Sequence, residues 1–247
     1  MKSMQRIPKF VHNDIRLIGR DHFLLMMLSF ALLIGIVLRF ALPSLNTYLD
    51  TNGILSGFNI YYPLIVAFIG FYQGPLIVGA IFGFVLLEEK EDYTLRAMLV
   101  TPVPLQHYIG YRVGMPVLFA FIISISLLLL IDQALGSFGQ MVLLALGAAF
   151  TAPLISMFFA TFAENKVQGF ALSKFIGIAG WIIVGAWFIS EPWQWIVGAF
   201  PPFWISKAYW MLLAGESQWW TLIIIGIGLQ WISIWILIRY FNHHIYR

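Results

Sequence analysis

Apolar residues run almost unbroken through six segments of this chain, at about 22–42, 60–87, 113–131, 141–163, 174–190 and 219–240. Each approaches or exceeds the roughly 20 residues needed to cross about 30 Å of hydrocarbon. The runs do not alternate apolar with polar positions, and they are longer than barrel strands, so the pattern predicts helices. Lipid satisfies no free backbone group, so each run must be a helix or part of a closed barrel, and the length and continuity decide for helices. A different period precedes the first run. In MQRIPKFVHNDIRLIGRD, Ile7, Val11, Ile15 and Ile18 recur at steps of three and four, with Arg6, Asn13, Arg16 and Arg20 elsewhere on the wheel. That predicts an amphipathic helix over 4–20 lying in the membrane surface, with Pro8 in its first turn.

Interruptions refine the picture. Gln73-Gly74-Pro75 falls inside the second run and predicts a kink there. Gly79 and Gly83 form a small-residue pair suited to packing within one subunit. All ten tryptophans lie between Trp181 and Trp235, six of them in or beside the connection 190–218. This connection is too apolar for a solvated loop. It predicts a short helix pair turned at Pro201-Pro202 and dipping back into the outer leaflet, the ring bodies buried and the N–H groups near water. The whole chain, 1–247, reads as a single transmembrane domain.

Composition agrees: 61% of residues are hydrophobic and 10% charged, against roughly a quarter charged in a soluble domain. The net charge of +3 marks topology rather than nucleic-acid binding. Of the fourteen Lys and Arg, only Arg39 and Lys207 fall outside the N-terminal tail and the segments assigned inward. By the positive-inside rule both termini are cytosolic, in a bacterial inner membrane, and the first run is an uncleaved anchor. No cysteine is present, so disulfides and thiolate ligands are excluded.

One polar cassette stands out, EEKEDYTLRAMLVTPVPLQHYIGYR, at 88–112. Thr94, Leu95, Met98 and Leu99 make a short apolar edge, with Glu88, Glu89, Lys90, Asp92 and Arg96 read as solvated. Pro102 disfavours helix at Thr101 and removes a donor. The expectation is a lateral cytosolic helix ending near Thr101. From charge alone, a plain solvated loop is the competing reading. The order of residues resembles the cytosolic segment of type-2 ABC transporter permeases, the membrane subunits of ATP-driven exporters. Glu89, Lys90, Glu91, Thr94, Leu95, Leu99, Thr101, Pro102 and Tyr108 follow that family's pattern; Arg112 replaces its Lys, Tyr93 stands where Gly is usual, and His107 where an acidic residue is common. NDIRLIGRDHF and the short length look like the fluoroquinolone-export branch.

The resemblance implies an all-α membrane protein with six spans, an entry helix, a coupling helix and a re-entrant outer segment. It implies that Glu88, Glu89, Lys90, Glu91, Thr94, Leu95, Met98, Leu99, Thr101 and Pro102 seat in a separate ABC ATPase. No G-x-x-x-x-G-K-[ST] occurs here, so ATP and Mg are expected in that partner and no cofactor in this chain. It further implies a second permease chain, identical or not, with the first and fifth spans facing across the dimer. Gly177 and Gly180 would permit their close approach. Candidate route residues are Arg39, Phe175, Trp181 and Phe188, each with a blander alternative: headgroup snorkelling for Arg39, aromatic core or lipid contact for the others. The expected cargo is a hydrophobic or amphipathic drug, lipid or peptide.

Two other classes compete. An intramembrane enzyme needs a nucleophile with a base, or paired carboxylates, inside the bilayer. Yet His12, His22, His107, His243 and His244 all fall at cytosolic ends, and no Asp or Glu lies mid-span. A membrane protein of immunity type, which binds a partner without transport, is the remaining alternative.

Overall fold

The computed structural model describes residues 16, 19–92 and 105–245, with side chains at 105–107 and 242–245 left aside. Almost all of the expected surface helix 4–20 lies outside that set. So do Tyr93, Thr94, Leu95, Arg96, Met98, Leu99, Thr101 and Pro102 of the cassette.

Every described element is helical, and six helices are long and apolar enough to cross a membrane. They are span 1 (His22–Thr51), span 2 (Phe58–Glu91), span 3 (Tyr108–Ile131), span 4 (Phe138–Phe162), span 5 (Lys166–Trp187) and span 6 (Trp219–Phe241). Asp21 caps span 1, its carboxylate accepting the N–H groups of Phe23 and Leu24 at 2.9 and 3.3 Å. Ser137 and Gln140 form a capping box at the start of span 4. Span 5 begins well before the apolar run at 174. Asn165 caps it through the N–H of Gln168, and the polar residues of its first turns had masked the helix in the hydropathy pattern.

Spans 2 and 4 form the centre: 67% of each core window is buried, against 17% for span 1 and 22% for span 5. Their contact is close because it is built on glycine. A Cβ at Gly79 would lie 2.6 Å from the Ala152 carbonyl oxygen, and one at Gly83 2.6 Å from the Phe159 ring. The small-residue pair therefore packs inside the subunit.

The central helices are also broken. Span 2 passes through a π-helical stretch, Ala67–Gln73, before regular α-helix resumes at Gly74–Glu91. Pro75 has no N–H for the Phe71 carbonyl, so the register widens where the kink was expected. Span 4 divides into Phe138–Ala149 and Thr151–Phe162. Pro153 has no N–H for the carbonyl of Ala149, the last residue of the first half. Gln230 of span 6 braces both sides of this break: its amide donates to the Gly147 and Gly226 carbonyls at 3.2 Å each and accepts the Thr151 hydroxyl at 2.9 Å. Span 5 divides at Gly180 into Lys166–Ala179 and Trp181–Trp187.

The tryptophan-rich connection forms a 3-10 helix, Trp193–Ala199, and an α-helix, Phe203–Leu213, turned at Pro201-Pro202. Its far end is anchored by Trp210 Nε1 to the Pro63 carbonyl and by the Tyr209 hydroxyl to the Ala134 carbonyl, at 3.3 and 2.6 Å. Its turn reaches inward. Ile205 packs on Gly147 of span 4 and Gly226 of span 6, each at least two turns inside its helix, and Phe200 lies 5.7 Å from the Tyr72 ring. The helix pair and its turn thus fold back against the spans, as a re-entrant segment would. The connection's one cation, Lys207, is paired with Glu191 at 2.6 Å and donates to the Gln194 amide oxygen at 2.7 Å.

Candidate functional site at the cassette end

Four consecutive residues at the end of span 2, Glu88 to Glu91, reach three different neighbours. Glu88 pairs with Lys166 Nζ of span 5 at 2.9 Å. The Glu89 carboxylate accepts from the Arg112 guanidinium and the Tyr108 hydroxyl, both of span 3. Lys90 Nζ donates to the Ala160 and Ala163 carbonyls at 3.2 and 2.8 Å, capping the end of span 4. Glu91 accepts the Lys166 backbone N–H at 2.7 Å, at the start of span 5. Successive helix positions point about 100° apart, so four side chains in a row fan around the helix end and can each meet a different partner.

The signs suit the helix ends they meet. An ammonium sits on the terminal carbonyls of span 4 and a carboxylate on the first N–H of span 5, which the aligned peptide dipoles favour. Arg112 is 1% exposed and Glu89 16%. The guanidinium also lies 5.4 Å from the Tyr108 and Tyr111 ring centroids. A charge so buried persists only when paired and hydrogen-bonded.

The solvated face expected at Glu88, Glu89 and Lys90 is therefore largely a set of bonds inside the subunit. The physical reason is that spans 3, 4 and 5 present a cation, free carbonyls and free N–H groups around the same helix end. The chain leaves this knot at Asp92 and returns to it at Tyr108, so both ends of the cassette are held by one bonded cluster. The hints were in the sequence: oppositely charged residues cluster at three inward segments. Nothing in a linear pattern says which of them meet.

A family described as Fluoroquinolones export permease protein Rv2686c-like matches residues 14–238. This chain belongs to that family. Two curated relatives, the fluoroquinolones export permease proteins MT2760 and Rv2686c, come from Mycobacterium tuberculosis strains CDC 1551 / Oshkosh and ATCC 25618 / H37Rv. Each is 30% identical over 247 aligned positions, covering 96% of this chain and 94% of the relative. No solved structure matches. The family match spans all six helices of the permease but its last few residues, with the knot in its interior.

The route candidates do not converge on one site. Arg39 lies at the opposite end from the knot, paired with Asp132 at 2.9 Å, both groups about half exposed. Phe175, Trp181 and Phe188 stand 69%, 62% and 66% exposed along the outer face of span 5 and the turn after it. Trp181 leans on Phe68 and Phe188 on Tyr61. Gly180 packs under the Tyr72 ring of the same subunit, so it serves the contact of spans 2 and 5. Gly177 has open space in front of it. Gln73 keeps a buried Oε1 without a partner among the described residues. Among the described residues no cluster of His, Asp and Glu could hold a metal.

Proposed function

We propose that this chain is the membrane subunit of an ATP-driven exporter, placed in a bacterial inner membrane with both termini and the cassette end cytosolic. Residues 88–102 dock on a separate ABC ATPase, which binds ATP and Mg. Two permease chains, identical or not, together form the route. The cargo is a hydrophobic or amphipathic compound, and fluoroquinolones, which the relatives' names specify, are the class to try first.

The observation that carries this reading is the bonding of Glu88–Glu91 to spans 3, 4 and 5. A push on the segment between Asp92 and Tyr108 acts on a helix end that is fastened to three further spans. Coupling by rigid-body tilt needs such a joint, since packed helices move as units.

The test is to purify the chain from its own host with whatever it binds, and to follow ATP hydrolysis and fluoroquinolone efflux. Leu95→Asp is the variant to use, because Leu95 lies on the expected apolar docking edge and outside the bonded knot. Charge reversal at Glu89 is a poor probe of docking, since it also strands Arg112. The expected result is normal insertion, loss of the ATPase from the complex and loss of efflux. Efflux unchanged in Leu95→Asp, or an active assembly with no ATPase, overturns the proposal.

A further inference from the structure

Four separate irregularities of the backbone meet at one place in the middle of the bundle. A cavity of about 320 Å³ is lined there by Tyr72, Thr151, Phe158, Phe175, Ala179 and Phe200, among others. Tyr72 belongs to the π-helical stretch of span 2. Thr151 opens the second half of span 4 after its break. Ala179 precedes the break of span 5. Phe200 and Pro202 belong to the turn of the tryptophan-rich connection, which lines one side of the cavity. Interrupted helices inside a membrane are tolerated where they line a cavity, and transporters place ligands at such interruptions. The volume lies at the small end of the range for ligand pockets. Phe175, the most exposed of the lining side chains, stands at the rim between spans 4 and 5 and faces the bilayer side.

The lining specifies what fits. No charged side chain contributes to it, so a bare ion or a buried charged group would be left unsolvated. The two hydroxyls are already committed as donors, Thr151 to Gln230 Oε1 and Tyr72 to the Ile176 carbonyl at 2.7 Å. What remains is four aromatic rings from four different elements, with only acceptor lone pairs between them. Such rings pair favourably, edge-on or offset, with another ring, whereas an alkyl chain gains nothing from their quadrupoles. We infer that this cavity binds the uncharged aromatic part of a small molecule, which enters sideways from the bilayer between spans 4 and 5. The ligand's role as cargo rests on the export function proposed above; the existence of the site does not.

The test uses the full chain in lipid nanodiscs and a naphthyl azide photolabel, with adducts located by peptide mass mapping. Excess unlabelled naphthalene separates a saturable site from general partition into lipid. The expected result is saturable labelling of Phe158, Phe175 or Phe200. It should fall at least roughly ten-fold in Ala179→Phe, which fills the space, and in the smaller Ala179→Leu. Ile178→Phe, which places the same ring one residue away on the exposed face, should leave it unchanged. Labelling that does not saturate, that dodecane displaces as well as naphthalene does, or that survives Ala179→Phe overturns the inference. Fluoroquinolone efflux by cells separates the two claims. No efflux by the wild-type chain defeats the proposed cargo while saturable labelling upholds the site. Efflux that persists in Ala179→Phe after labelling is lost removes the site from the route.

Discussion

Arg112 and Glu89 illustrate how one residue pair sets the behaviour of the whole cassette end. A guanidinium that is 1% exposed cannot give up its charge, so the carboxylate opposite it is obligatory. Glu89→Ala should destabilise the chain by about 3–5 kcal/mol, the usual cost of leaving one partner of a buried pair uncompensated. Replacing both, Glu89→Leu with Arg112→Met, should recover most of that loss, because the desolvated charge goes with its partner. Thermal unfolding in detergent checks both, and a double variant no better than the single would refute the pairing argument. Arg39 is the contrasting case. Its bond to Asp132 joins two half-exposed groups, so Arg39→Ala should cost under about 1 kcal/mol in the same assay. Efflux measured beside it discriminates between the roles of Arg39: a rim pair leaves efflux intact, and a contact for an anionic substrate does not.

At the scale of helices, proline placement decides where the spans bend, and side chains of other spans decide whether the bend is tolerated. Pro153 frees the Ala149 carbonyl in the middle of span 4, and Gln230 of span 6 braces the same break by donating to the Gly147 carbonyl two residues earlier. Gln230→Leu should therefore cost about 1–2 kcal/mol, at the upper end for a polar contact in a membrane, since several bonds go at once. Pro153→Ala restores an N–H to the Ala149 carbonyl and not to that of Gly147, so it should leave the Gln230→Leu loss in place and the two effects should add; a clear departure from additivity would disprove this division of the bonds. Six helices, the kink at Gln73-Gly74-Pro75 and the turn at Pro201-Pro202 were legible in the sequence, because hydropathy period and proline are local signals. The break at Gly180 was not, since glycine within an apolar run reads equally well as packing. Nor was Gln230's role, because a lone amide in a span announces only that it needs some partner. The knot at Glu88–Glu91 was half legible: the charges were visible, but their partners lie 19 to 78 positions away along the chain.

Taken as a whole, the molecule is lopsided, and that asymmetry bears on assembly. Spans 2 and 4 are the most deeply packed, whereas span 1 offers a continuous apolar stripe of Met26, Phe30, Leu33, Val37 and Phe40, all more than half exposed. The stripe follows steps of three and four and so occupies one helix face. Span 5 presents Phe175, Ile178 and Trp181 in the same manner, and span 6 exposes Trp231, Ile232, Trp235 and Ile236 on its own outer face. Lipid can cover any of these faces, because tails are as apolar as the side chains and supply no hydrophobic drive to association. Exposure alone therefore does not choose an interface, but the absence of native cysteine makes the choice measurable. A single cysteine at Val37 should form disulfide-linked dimers under mild oxidation in native membranes if the first spans meet across a homodimer. Cysteine at Ile232 is expected to stay monomeric. In a heterodimer the Val37 variant alone forms no linked product, and linking at a different mass appears only when a second cysteine is placed in the first span of the other permease chain. Efficient linking through Ile232 with none through Val37 would put the contact on span 6 and refute the expected arrangement.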